Sequence, residues 1–174
     1  MNIFVSGGAK NGKSSFAQNE AVRMAAGSKP LYYVATMIST DEEDDLRIER
    51  HIKDREGLAF TTVEQGTDIC AILKKADQDG VFLLDSVTAL LANEMFGNGF
   101  DAAAGERCAE ELVKLAKATG NTIFVSDYIY SEAAHFDEYT ECYRSGLALC
   151  DKRLAKICDM VVEVTFGGLI IHKG

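Results

Sequence analysis

Three groups of side chains in this sequence have the types and spacing for chemistry at phosphorus. The first is Gly7-Gly-Ala-Lys-Asn-Gly-Lys-Ser14, which fits G-x-x-x-x-G-K-[ST] at every position. Gly7, Gly8, Ala9, Lys10, Asn11 and Gly12 would curl backbone N–H groups around phosphate oxygens. Lys13 would reach the terminal phosphates of a nucleoside triphosphate, and Ser14 would hold Mg²⁺. The second is Asp85, the acid that ends an apolar run beginning at Val81. It is the natural partner of Ser14 for the same metal ion. The third is Arg47, His51 and Arg55, spaced i, i+4, i+8, which on a helix form one stripe. An imidazole in that setting can attack phosphorus and form a covalent N–P bond, with the arginines neutralising the charge that develops. A solvated helix face carrying an incidental histidine has the same spacing, and spacing alone favours that plainer reading. His135 and His172 have no comparable setting and read as surface or structural residues.

The elements that must position these groups alternate between strand and helix. An apolar run over residues 1–6 enters the glycine loop, and a helical pattern over 14–26 leaves it, closed by Gly27 and Pro30. Residues 31–35 read as a buried strand. Ligands of open α/β sheets gather where such strands end, which places Ala35, Thr36 and Met37 near the site. Residues 41–56 read as a charged helix whose apolar positions, Leu46, Ile48 and Ile52, are too sparse for a core helix. Further strands are expected at 59–63, 80–85 and 122–126. Helices are expected at 69–76, 88–95, 101–119 and across most of 136–158. Residues 160–165 and 169–172 form a closing strand pair around Gly167 and Gly168. The fold class is therefore α/β, a mostly parallel sheet with helices on both faces and an antiparallel pair at the C-terminal end.

Composition narrows the function. With 174 residues, 47% hydrophobic and 26% charged, the chain reads as one globular domain over residues 1–174. A net charge of -9 argues against a nucleic-acid binder held by a general basic surface, though a local pocket can still take a small anion. No run approaches the ~20 apolar residues of a membrane span. The start lacks the features of a secretion signal, so a cytoplasmic location is expected. The five cysteines include no C-x-x-C pair. Cys142, Cys150 and Cys158 recur every eighth residue of a predicted helix, which core packing explains.

Taken together, the motifs resemble a known family. The glycine loop, Tyr33-Val-Ala-Thr36, Arg47-Ile-Glu-Arg-His51-Ile-Lys-Asp-Arg55, Thr62-Val-Glu64 and Leu83-Leu-Asp85-Ser-Val-Thr88 with Asn93 occur in order. This series is similar to the bifunctional adenosylcobinamide kinases / adenosylcobinamide-phosphate guanylyltransferases of cobalamin biosynthesis, over nearly the whole chain. The resemblance implies a RecA-like P-loop NTPase fold, a homotrimer and a corrinoid substrate. It implies phosphorylation of the substrate hydroxyl by ATP or GTP, then transfer of GMP from GTP through a guanylylated histidine at the position of His51. It also assigns nucleotide binding to the loop, to Ala35, Thr36 and Met37, to Ile52, Lys53, Asp54 and Arg55, and to Glu64 and Asp85. The second half departs from the family pattern. Asp127-Tyr-Ile-Tyr130, followed by Ser131 and Glu132, stands where Asn-Glu-Val-Gly is usual, and Ala148 and Asp151 replace a glycine and an asparagine. A simple P-loop kinase without a covalent nucleotide, or a non-catalytic nucleotide-binding paralogue, would also carry the phosphate loop.

Overall fold

A computed structural model describes residues 1–130 and 134–174; Ser131 and Glu132 of the divergent segment lie outside the described residues. The strands are β1 (Ile3–Gly7), β2 (Leu31–Ala35), β3 (Thr61–Glu64), β4 (Val81–Asp85), β5 (Thr122–Asp127), β6 (Met160–Thr165) and β7 (Gly168–Lys173). They form a sheet in the order β3-β2-β4-β5-β1-β6-β7. Every pairing is parallel except β6 with β7. The inner strands β1, β4 and β5 are apolar almost throughout because helices cover both of their faces.

Helix α1 (Lys13–Ala25) lies on one face. Its buried Ala17, Ala21 and Ala25 recur every fourth residue, and these small side chains bring the helix close to Ile3, Val5, Leu83 and Ile123. The other face is covered by α3 (Val87–Phe96), α4 (Ala104–Thr119), α5 (Glu138–Ile157) and a short 3₁₀ helix, Ile69–Lys74. Helices α4 and α5 touch backbone to backbone at Gly105 and Gly146. A Cβ on Gly105 would lie 2.8 Å from the Gly146 Cα, so neither position has room for a side chain there. Cys142 and Cys150 face the start of α4, and Cys150 and Cys158 are buried in the core, as packing predicts.

The remaining helix, α2 (Glu42–Asp54), is different in kind. None of its residues is buried. Its stability comes from its ends: the Asp41 side chain accepts from the Asp44 N–H at 2.9 Å, and Glu42, Glu43, Asp44 and Asp45 fill the positive first turn.

The expected elements shift in a few places. The third strand starts at Thr61 rather than residue 59, and the 69–76 segment winds as a 3₁₀ helix rather than an α-helix. Helix α4 begins at Ala104 because the Asp101 carboxylate takes the Ala103 N–H at 2.8 Å, a local turn that competes with helix at residue 101.

Candidate nucleotide and histidine site

The carboxyl ends of the parallel strands bring the predicted chemistry to one edge. Register sets Ala35 beside Glu64 on one side and beside Asp85 on the other. Gly7 pairs with Asp127 and with Val164. Alternation puts Asp85 on the α1 face with Val81 and Leu83, and Asp127 on the same face with Ile123 and Val125. Since Asp85 is level with Val125, Asp127 stands two residues, about 7 Å, further along the strand direction.

The phosphate loop joins β1 to α1. Gly12 occupies the position before the helix with φ 86°, a left-handed conformation that suits glycine. The loop walls a cavity of 280 Å³ whose lining includes Ala9, Lys10, Asn11, Gly12, Lys13 and Ser14. From the opposite side Arg47, Arg50 and His51 close it, with Asp85 and Asp127 at its floor. Four cationic side chains therefore gather in one pocket of a chain whose net charge is -9. Lys13 is nearly buried, donates to the Gly8 carbonyl at 2.6 Å and pairs with Asp127 at 2.7 Å. A triphosphate entering the loop would compete with Asp127 for this ammonium.

A second cavity, of 370 Å³, lies between α2 and β3. Tyr33, Ile38, Ile48 and Ile52 supply apolar walls, and Arg55, Thr62, Glu64 and Gln65 supply polar edges. Met37, His51, Asp85 and Ser86 line both cavities. The imidazole thus sits at the junction, a third exposed, with Nδ1 facing Asp85 Oδ2 at 3.9 Å.

Some residues singled out from sequence do other work in the fold. Thr36 is fully buried and lines neither cavity. Its hydroxyl donates to the Ser86 carbonyl at 2.8 Å and accepts from the Ser86 N–H at 2.7 Å, tying the ends of β2 and β4 together. Asn93 braces the same turn, donating to the Thr36 carbonyl at 2.7 Å. Lys53 and Asp54 point to solvent and line neither cavity.

Arg55 corrects the idea of two arginines flanking the imidazole in one stripe. Helix α2 ends at Asp54, so helical periodicity no longer sets where the Arg55 side chain goes. It turns back under the helix, stacks 3.7 Å over the Tyr33 ring and donates to the His51 carbonyl at 2.6 Å and to Thr62 Oγ1 at 3.3 Å. Arg50 takes its place beside the phosphate cavity. The signal was present in the sequence, because residues 47, 50 and 51 share a helix face. Asp127 also carried a signal, being an acid at the end of an apolar strand like Asp85. Of the two other histidines, His172 pairs with Glu163 at 2.9 Å on the terminal hairpin and His135 is exposed.

Two of the divergent C-terminal positions meet in the fold. Tyr130 donates to Asp151 at 2.9 Å. Burial pushes the Asp151 carboxyl up to about 6, against the Tyr130 hydrogen bond that favours its ionised form.

Comparison with known proteins agrees with this fold. The structure superimposes on a solved ATPase domain with a TM-score of 0.57 and 11% identity, covering 99% of this chain and 76% of that one. It also superimposes on the KaiC-like protein PH0186 from Pyrococcus horikoshii OT3, with a TM-score of 0.54 and 16% identity over 99% and 78% of the two chains. At these identities the likeness concerns the fold alone, which is that of a RecA-like P-loop NTPase. No helix among the described residues is long and apolar enough to cross a membrane. In sequence, the bifunctional adenosylcobalamin biosynthesis protein CobU of Salmonella typhimurium (strain LT2) is 25% identical over 181 residues, 96% of this chain and 97% of that protein. Its counterpart from Escherichia coli (strain K12) is 32% identical over 102 residues, 58% and 54% of the respective chains. The model of the family described as cobinamide kinase / cobinamide phosphate guanyltransferase matches residues 3–171, and the chain belongs to that family.

Proposed function

We propose that this enzyme carries out both reactions of its family on one nucleotide site. In the first, a hydroxyl of adenosylcobinamide attacks the γ-phosphate of ATP or GTP. In the second, His51 attacks the α-phosphate of GTP, pyrophosphate leaves, and the GMP is passed to adenosylcobinamide phosphate. The observation that carries this reading is the place of His51 in the lining of both cavities. A nucleotide with its phosphates in the loop cavity and its base in the apolar one spans that junction, which brings its α-phosphate to the imidazole.

The surrounding residues suit these roles. Lys10, Lys13, Arg47 and Arg50 offset phosphate charge. Tyr33, Ile48 and Ile52 give the base an apolar slot. The Glu64 carboxylate at its edge can accept from the adjacent N1–H and N2–H of guanine, a donor pair that adenine lacks, and this favours GTP in the second step. The Ser14 hydroxyl and one oxygen of Asp85 are the hard oxygen donors that Mg²⁺ takes alongside phosphates and water. When bound, the ion would neutralise phosphate oxygens and orient them. The exposed edge strand with Leu169, Ile170 and Ile171 supports assembly through this face, and sedimentation velocity would test the trimer that the family resemblance implies.

Isotope labelling tests the mechanism. Protein denatured after incubation with [α-³²P]GTP should retain label, protein incubated with [γ-³²P]GTP should not, and His51→Ala should retain none. Retention of α-label by the His51→Ala variant would remove this histidine from the reaction. Transfer of γ-phosphate to cobinamide with no α-label on the wild-type protein would leave a simple kinase.

A further inference from the structure

His51, Asp85, Tyr33 and Arg55 form a closed ring of contacts. The Nδ1 of His51 is buried and has no hydrogen-bond partner among the described residues. The carboxylate facing it is Asp85, whose Oδ2 lies 3.9 Å away. The same Oδ2 accepts from the Tyr33 hydroxyl at 3.1 Å. Arg55 lies over the Tyr33 ring at 3.7 Å and donates to the backbone carbonyl of His51 at 2.6 Å, which returns the circuit to its start. The pieces come from β2, the last turn of α2 with the residue that follows it, and the end of β4.

A ring nitrogen that is buried without a partner costs about 1–3 kcal/mol, so an acceptor within an ångström or so of hydrogen-bond range has a purpose to serve. Helix α2 buries no residue and can make that small approach. The Tyr33 hydroxyl donates to Asp85 Oδ2 and so keeps the carboxylate aimed.

We propose that Asp85, held by Tyr33 and Arg55, fixes His51 as the Nδ1–H tautomer and so makes Nε2 the nitrogen that attacks phosphorus. This rests on the guanylyl-transfer reading given above. In the step, the Nε2 lone pair forms the N–Pα bond, the bond from Pα to the bridging oxygen breaks, and pyrophosphate departs with that electron pair. The Nδ1 proton stays on the ring, which becomes cationic, and the Asp85 carboxylate opposes the new charge. Asp85 thereby divides its two oxygens, with Oδ2 turned to the histidine and Oδ1 left for the phosphate side. Tyr33 and Arg55 are positioning residues.

Tyr33→Phe is the test, because it keeps the ring under Arg55 and removes only the hydroxyl. With ¹⁵N-labelled histidine, the nucleotide-free wild-type protein should show His51 protonated at Nδ1, and the guanylylated protein should carry phosphorus on Nε2. The variant should lose about tenfold in the rate of α-label uptake, with the KM for GTP within about twofold of wild type. A wild-type His51 protonated at Nε2, a guanylyl group on Nδ1, an unchanged rate in the variant, or a loss wholly in KM would each overturn the proposal. If the wild-type protein takes no α-label, guanylyl transfer fails instead. The tautomer spectrum then still reports whether the Asp85 contact exists.

Discussion

Helices α2 and α5 are both rich in charge, and the fold treats them in opposite ways. Helix α5 runs for 20 residues and buries Arg144 and Asp151 within the packed face of the sheet. Helix α2 runs for 13 residues, buries nothing, and holds its site residues at the rim of two cavities. A buried carboxylate loses solvation, so Asp151 stays in place at a cost to stability. A rim histidine on a helix that buries nothing remains free to approach a phosphate. The proposed nucleophile thus sits where its removal costs the fold little packing.

That contrast is broken or sharpened by substitution. The largest effect should come from His51→Ala, which is expected to lower α-label uptake by about 10³-fold or more. Its thermal stability should not fall, since the ring takes with it a buried nitrogen that has no partner among the described residues, as read by a melting curve. A large loss of stability would make α2 a structural helix like α5.

Next in size is Asp151→Asn. The folded carboxyl titrates at about 6 against an ordinary 3.8, so the folded chain holds a proton that the unfolded chain releases earlier. Stability is therefore undiminished below about pH 4, falls as the pH rises to about 6, and stays level above that. The gap between the folded and unfolded values corresponds to something on the order of 3 kcal/mol. The asparagine variant, which keeps an acceptor for Tyr130, should gain that much over wild type at pH 7.5 and lose the advantage near pH 4. Denaturant titrations at the two pH values would check this, and an equal gain at both would place the cost elsewhere.

Asp41→Ala should act locally. Loss of the cap is worth about 1 kcal/mol, seen as faster amide hydrogen exchange along α2 with the exchange of α5 unaltered. A change in the exchange of both helices together would mean that they unfold as one unit. The smallest effect belongs to neither helix. Asp127→Asn frees Lys13 from its partner and should tighten nucleotide binding about threefold by calorimetry. If it abolished α-label as His51→Ala does, the chemistry would not be confined to α2.

Much of the architecture was legible because local patterns carry it. The run Gly7 to Ser14 identifies a phosphate loop by the conformations its glycines permit and the donors it aligns. The strands 31–35 and 160–165 are recovered to the residue, since buried parallel strands are short, apolar and bounded by breakers. The segment 69–76 departs from the expected α-helix because apolar spacing is shared by α and 3₁₀ windings over so short a stretch.

The sequence by itself determined that a triphosphate loop, an acid-ended strand and a basic helix with one histidine occur in one α/β chain. Only the tertiary structure decided how they meet. Arg55 left the helical stripe because the helix stops one residue before it, and Tyr33, from another strand, captured it. Thr36 became a brace and Asp127 the partner of Lys13 through register between strands remote in sequence. His51 gained its place between two cavities the same way. Periodicity tells which residues share a face, and the order and register of strands decide what that face looks upon.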